Sequence, residues 1–175
     1  DFGVSLGIET ERLGRFNINL EASKLEELEL VRNPIIQELI DDPVVGGNFA
    51  ALDPDRLQLN GNPEWRATST VTWRMGDWGA GLSARYVSGF FDTSADPDLD
   101  GDGSPDFFPV DDYLRINTYG DYRLSTEFAD QLRLRIGINN VTDELAPLMD
   151  ESRGYSPAYH SVRGREFYVQ IRATR

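Results

Sequence analysis

The chain has 175 residues, no cysteine, a mean hydropathy of −0.44 and a net charge of −13. This length fits one domain, the lack of cysteine excludes disulfides and thiolate metal sites, and the acidic balance argues against nucleic acid as a partner. No run approaches the roughly 20 apolar residues that a spanning helix needs, and we expect any secretion signal to lie upstream of Asp1.

Seven segments alternate strictly between apolar and polar residues, which predicts strands with one apolar and one polar face. In the first, Phe2, Val4 and Leu6 alternate with glycine and serine. The predicted strands are about 2–9, 15–26, 63–74, 78–88, 112–124, 131–140 and 166–174.

The connections between these strands alternate between short and long. The short ones are Thr10–Gly14, Gly76–Asp77 and Ser125–Asp130, and the long ones are 26–62, 89–112 and 141–164. Long loops at one end and short turns at the other are typical of transmembrane β-barrels. The acidic excess is local, because 26–55 and 89–112 together carry −15 and the other 121 residues sum to +2.

Aromatic residues mark both ends of the apolar face. Trp65, Tyr86 and Phe167 lie at long-loop ends, and Phe16, Trp73, Trp78 and Tyr122 lie at short-turn ends. Eight residues of strand between two such aromatics span roughly 26 Å, or about 20 Å along the normal at a tilt near 40°. The pattern indicates two interfacial girdles around an apolar band.

The opposite face carries many arginines. The polar positions of the predicted strands include Arg66, Arg85, Arg115, Arg133, Arg135 and Arg172. A water-filled lumen solvates such groups, whereas a packed β-sandwich would have to bury them at high cost. The polar face therefore favours a barrel interior.

Several segments, taken in order, resemble the C-terminal part of the barrel of TonB-dependent receptors. They are Asn62–Arg66 opening a strand, Gly76–Trp78 at a turn, Arg85–Gly89 leaving a strand, Gly137–Glu144 across a strand exit, and Tyr159, Arg163–Arg165 and Phe167–Val169 around the last strand. The segment 2–26 fits the family by pattern alone. The family usually ends in an aromatic residue, and Arg175 stands in that place here.

The resemblance implies an all-β fold, an antiparallel transmembrane β-barrel in the cell outer membrane of a Gram-negative bacterium. Residues 1–175 would then be a C-terminal fragment holding the last seven strands of a 22-stranded barrel, with the long loops extracellular. The implied partners are the rest of the barrel, an N-terminal plug, the TonB complex through upstream segments, outer-membrane lipid and a small-molecule nutrient. The implied function is energised uptake of a bulky nutrient such as a siderophore or oligosaccharide, and no enzymatic activity is expected.

One acidic loop has the spacing of a calcium site. Asp98, Asp100, Asp102 and Asp106 fit the pattern D-x-D-G-D-G-x-x-D, in which alternate carboxylates converge on one hard cation. The twelfth position, which holds a bidentate Glu in an EF-hand, is Pro109. We expect Ca²⁺ in the 98–106 loop or, alternatively, a solvated acidic loop.

Candidates for nutrient contact are aromatic and polar residues near the long-loop ends. They are Arg85, Tyr113, Arg115, Tyr155, Tyr159 and His160. Arginine forks and aromatic faces suit sugars or anionic chelates. No G-x-S-x-G elbow surrounds Ser156 or Ser161, so His160 is not predicted to be a catalytic base.

Two other classes of function remain open from the residues. A calcium-binding soluble β-sandwich adhesion module would fold without detergent and lose stability in EDTA. A passive porin-like barrel would share the same strands but lack an upstream plug and TonB-contacting segment.

Overall fold

The computed structural model describes residues 1–31, 33–42, 55–93, 107–126, 129–151 and 153–174. Seven long strands form one antiparallel sheet. Each alternating segment pairs with the next one along the chain, and a hairpin turn or a longer loop connects the two. They are β1 (Phe2–Thr10), β2 (Gly14–Lys24), β3 (Trp65–Met75), β4 (Trp78–Val87), β7 (Tyr113–Thr126), β8 (Ala129–Asn139) and β9 (Glu166–Thr174). The predicted all-β, antiparallel fold is confirmed.

Three smaller elements lie in the long connections. The helix α1 (Pro34–Asp41) follows β2, and a two-stranded sheet of β5 (Phe90–Asp92) and β6 (Phe108–Val110) lies between β4 and β7. The helix begins where the Asn33 side chain accepts a hydrogen bond from the Ile35 N–H at 3.0 Å. No helix of the described residues is long and apolar enough to cross a membrane.

The order of the large sheet is β1-β2-β3-β4-β7-β8-β9, so strands follow one another as in a meander. Within the described residues β1 and β9 each have a single neighbour, and the sheet is open. Tight hairpins join β1 to β2 and β3 to β4; in the second, Gly76 takes a φ of +56°, a conformation that glycine adopts at little cost. All three short turns lie at one end of the sheet and all three long connections at the other.

The strand register collects the apolar residues on one face of the sheet. Leu82, for example, pairs with Val71 on one side and Thr118 on the other. Apolar side chains of this face remain exposed, at 43% for Leu82, 58% for Ile136 and 66% for Val169. Within the described residues no second layer packs on this face.

Most buried apolar residues lie elsewhere, under the long loops, and Ala129 is buried at the short-turn end. Val87 and Tyr113 pair directly at the long-loop end of the polar face. Phe90, Val110 and Met149 form a small cluster beside them. The folded core of the described chain thus closes one end of the sheet instead of covering its apolar face.

Candidate functional site

The polar face has a buried carboxylate near its short-turn end. The side chain of Asp121 is fully shielded from solvent and forms ion pairs with three arginines. Its Oδ1 accepts from Arg133 at 2.5 Å and lies 3.5 Å from Arg135, while its Oδ2 accepts from Arg74 at 3.2 Å. These pairs join three different strands.

The register explains why this arrangement forms. Asp121 pairs directly with Arg135 on β8 and with Gly79 on β4, and Gly79 pairs with Arg74 on β3. Because Gly79 has no side chain, the guanidinium of Arg74 crosses β4; a Cβ at that glycine would lie 2.7 Å from it. The glycine is therefore the position that lets β3 reach Asp121.

The next row of the polar face alternates glycine with tyrosine across four strands. Gly81, Tyr119, Gly137 and Tyr168 are consecutive cross-strand partners. The Tyr119 ring fills the space over Gly81, and the Tyr168 ring fills the space over Gly137. The Tyr119 ring also lies 3.8 Å from the Arg135 guanidinium, so it helps to fix that arginine through a cation–π contact.

Hydrogen bonds from backbone N–H groups tie the three long connections together. The Asn60 N–H donates to the Phe91 carbonyl at 2.7 Å, and the Phe91 N–H donates to the Gln58 carbonyl at 2.6 Å. The Asp150 N–H donates to the buried Asp92 carboxylate at 2.7 Å, which joins the third connection to the second. We call the described residues of the three long connections, within 26–62, 89–112 and 141–164, the loop cap.

A buried asparagine anchors the third connection at its base. The amide of Asn140 is fully buried and donates to the carbonyls of Glu144 (2.8 Å) and Arg163 (3.1 Å). Its carbonyl accepts from the Glu144 N–H at 2.8 Å. Asn140 itself has a φ of +56°, which asparagine tolerates better than most residues.

His160 lies inside the loop cap among aromatic rings. It is 5% exposed, its ring is parallel to Phe90 at 6.1 Å between centroids, and Tyr113 lies 5.2 Å away. Both ring nitrogens are buried without a hydrogen-bond partner among the described residues. Burial, and then the positive charge of Arg85, lower the pKa of His160, so the imidazole is held neutral.

The six predicted contact residues fall into two groups. Tyr113 and His160 are buried in the loop cap, and Tyr113 Oη donates to the Ser161 carbonyl at 3.4 Å. Arg85 and Arg115 are direct cross-strand partners below the cap on the polar face. Tyr155 and Tyr159 are half-buried in the third connection. Nutrient contact by these residues stays a prediction.

The predicted calcium ligands Asp98, Asp100, Asp102 and Asp106 lie outside the described residues. Elsewhere in the described chain no group of three or more metal-ligating side chains occurs. Calcium binding by the 98–106 loop stays a prediction.

The sequence pattern singles out neither Asp121 nor Arg74, and it includes Asn140 only as part of the segment Gly137–Glu144. Asp121 was one of many acidic residues, and its neighbours become apparent only once the register of three strand pairs is known. A signal was nonetheless present, because Asp121 is the acidic residue that alternates on the polar face of a strand flanked by arginine-bearing strands.

A meandering antiparallel sheet with one exposed apolar face and one arginine-rich face defines a class, the walls of transmembrane β-barrels. The family model described as "TonB dependent receptor-like, beta-barrel" matches residues 4–141. The chain therefore belongs to the TonB-dependent receptor barrel family, whose members are outer-membrane transport receptors. A comparison with curated proteins gives no match.

The family match and the motifs of the resemblance overlap from residue 62 to residue 141 and differ at both ends. The match begins at residue 4 and so includes the first two strands, which fitted the family by pattern alone. It ends at residue 141, before the motifs around Tyr159 and Phe167. The predicted family is confirmed on the first four-fifths of the chain.

Proposed function

We propose that this chain is part of the barrel wall of an outer-membrane receptor that takes up a bulky nutrient, such as a siderophore or an oligosaccharide, with energy supplied through TonB. The observation that carries the proposal is the exposed apolar face of the sheet. Placing residues such as Ile136 and Val169 in lipid removes from water an apolar surface that the described residues leave uncovered.

The outer edges of β1 and β9 are unpaired among the described residues, which indicates what else the receptor needs. An unpaired edge presents free N–H and C=O groups, which lipid cannot satisfy. The chain therefore requires further strands at β1 and β9, and we propose that these come from the rest of a 22-stranded barrel. In that barrel the seven strands are the last seven, an N-terminal plug fills the lumen, and the TonB complex acts through upstream segments.

The loop cap would face the cell exterior in this arrangement. The half-buried Tyr155 and Tyr159 and the more accessible Arg85 are the residues best placed for a nutrient, whereas Tyr113 and His160 are buried. We propose that the acidic 98–106 loop binds calcium through its aspartates. Terbium luminescence on the complete receptor, compared with its Asp100→Asn variant, tests that site.

Sidedness is tested by thiol labelling, because this region contains no cysteine. A cysteine is introduced singly in the complete receptor at Leu148, which is 73% exposed in the third connection, or at Asp77 in a short turn. We expect a membrane-impermeant maleimide to label Leu148→Cys on intact cells and Asp77→Cys only after the outer membrane is opened. Equal labelling of both on intact cells would contradict the membrane arrangement.

Uptake is tested by growth on limiting nutrients. A strain lacking the complete gene and a strain lacking TonB are compared on limiting iron chelates, oligosaccharides and cobalt chelates. Both should show the same growth defect on one nutrient, restored only in the first strain by the complete gene. If deleting the gene reduces growth by the same amount in a strain that already lacks TonB, uptake does not depend on TonB, and a passive pore is indicated instead.

A further inference from the structure

Three arginines stand side by side at the short-turn end of the polar face. Arg123 pairs directly with Arg133, and Arg133 pairs directly with Arg172. Directly opposed residues have Cβ atoms only about 5 Å apart, and like charges at that distance destabilise a sheet. An anion bound beside these three positive charges would therefore stabilise the sheet.

Among the described residues, Asp121 is the carboxylate that forms ion pairs with arginines of this region. Asp121 uses both oxygens on the guanidinium groups of Arg74, Arg133 and Arg135. No ion pair joins Arg123 or Arg172 to an acidic group in the described part of the chain. Positive charge thus exceeds negative charge around the row.

A cavity opens beside the row. It has a volume of about 170 Å³ and is lined by Arg133, Arg135, Gln170 and Arg172. The Nε atoms of Arg133 and Arg135 are buried and have no hydrogen-bond partner among the described residues. A buried N–H donor without an acceptor costs free energy, so these atoms favour an occupant that accepts hydrogen bonds.

We propose that this cavity binds a carboxylate group. Guanidinium forks bind carboxylates in a bidentate manner, and the amide of Gln170 offers a further donor. Asp121 and the Tyr119 ring hold Arg133 and Arg135 from the side away from β9, so the site is organised before its occupant arrives. The carboxylate belongs either to a polypeptide segment inside the completed barrel or to the transported solute.

The inference rests on the proposed function in that this face lines the barrel interior. Its experiment uses the purified complete receptor in detergent, without a transport step. A negative binding result leaves the uptake proposal intact, and failure of the growth test leaves the binding result intact.

The experiment measures thermal unfolding with citrate as the probe, at constant ionic strength, and with chloride as the comparison salt. Arg172→Gln removes one fork, Arg172→Lys keeps the charge without the fork, and Arg66→Gln is the control on the same face outside the cavity. Arg172 is exposed, so its variants are expected to fold.

Two results support the proposal and identify the source of the carboxylate. If a solute supplies it, citrate stabilises the wild type saturably, and Arg172→Gln weakens citrate binding roughly tenfold to a hundredfold. If the receptor supplies it, citrate has no effect and Arg172→Gln unfolds at a lower temperature than Arg66→Gln. In both cases Arg172→Lys is intermediate.

Two other results would overturn the proposal. One is an Arg172→Gln receptor that is as stable as the wild type, or more stable, while citrate binds neither. The second is a citrate effect that is equal in the wild type and in Arg172→Gln, because the anion would then act at another place.

Discussion

Replacing Leu82 by arginine tests whether lipid covers the apolar face. Leu82 lies four residues from Trp78 and four from Tyr86, the aromatics at the two ends of β4. Four residues of strand are roughly 13 Å, or about 10 Å along the membrane normal at a tilt near 40°. Leu82 is therefore at mid-depth of the apolar band.

The expected cost follows from that depth. An arginine on the lipid face at the midplane destabilises a barrel by about 2–4 kcal/mol. In a water-exposed sheet the same replacement at a side chain that is 43% exposed would cost under about 1 kcal/mol. The two environments thus differ by more than the error of an unfolding measurement.

The neighbouring residue provides the control. Ser83 lies on the polar face, where its hydroxyl accepts a hydrogen bond from the Asn117 amide at 3.4 Å. Ser83→Arg adds the same charge one residue away but points it into the proposed lumen. Free energies of unfolding are measured for the complete receptor in lipid vesicles, using denaturant and tryptophan fluorescence. Equal destabilisation by the two variants, within about 0.5 kcal/mol, would refute lipid contact at this face.

Further predictions concern the buried groups. Asp121→Asn should destabilise the receptor by roughly 3 kcal/mol, because it leaves arginines around an uncharged amide; the denaturant midpoint should fall far more than for Glu21→Gln, an exposed acid on the same face. The stability of the loop cap should fall as pH drops below about 6.5, where the unfolded chain takes up a proton that buried His160 resists, and His160→Phe should remove this dependence in protease-protection assays at pH 7.5 and 5. Gly137→Ala should cost about 1–3 kcal/mol in denaturant unfolding, since its methyl group meets a tyrosine ring, whereas Gly120→Ala, with its nearest atom at 4.0 Å, should cost much less. A Gly120→Ala variant as unstable as Gly137→Ala would argue that loss of glycine flexibility, not the ring, sets the cost.

The sheet was accessible from sequence because alternation has a period of two and the short turns fix the register. Alternation places Val71 and Leu82 on the apolar face of their strands, and the two-residue turn at Gly76 makes them direct partners. The small pair β5 and β6 was not anticipated. Its strands have three residues each, too few to show a periodic pattern.

The buried polar groups were less accessible because each depends on contacts between distant segments. Arg74 meets Asp121 from 47 positions away, across a strand whose only contribution is the missing side chain of Gly79. His160 stands out in the sequence as the single histidine, but its burial depends on how the loops fold, and the loops have no periodic sequence pattern. Nutrient contact was predicted for it from position along the chain, which carries no information about accessibility.

The hydrogen bonds among Gln58, Asn60 and Phe91, together with the bond from Asp150 to Asp92, have a mechanical consequence. The three long connections are joined by hydrogen bonds, so a force applied to one of them is transmitted to the other two.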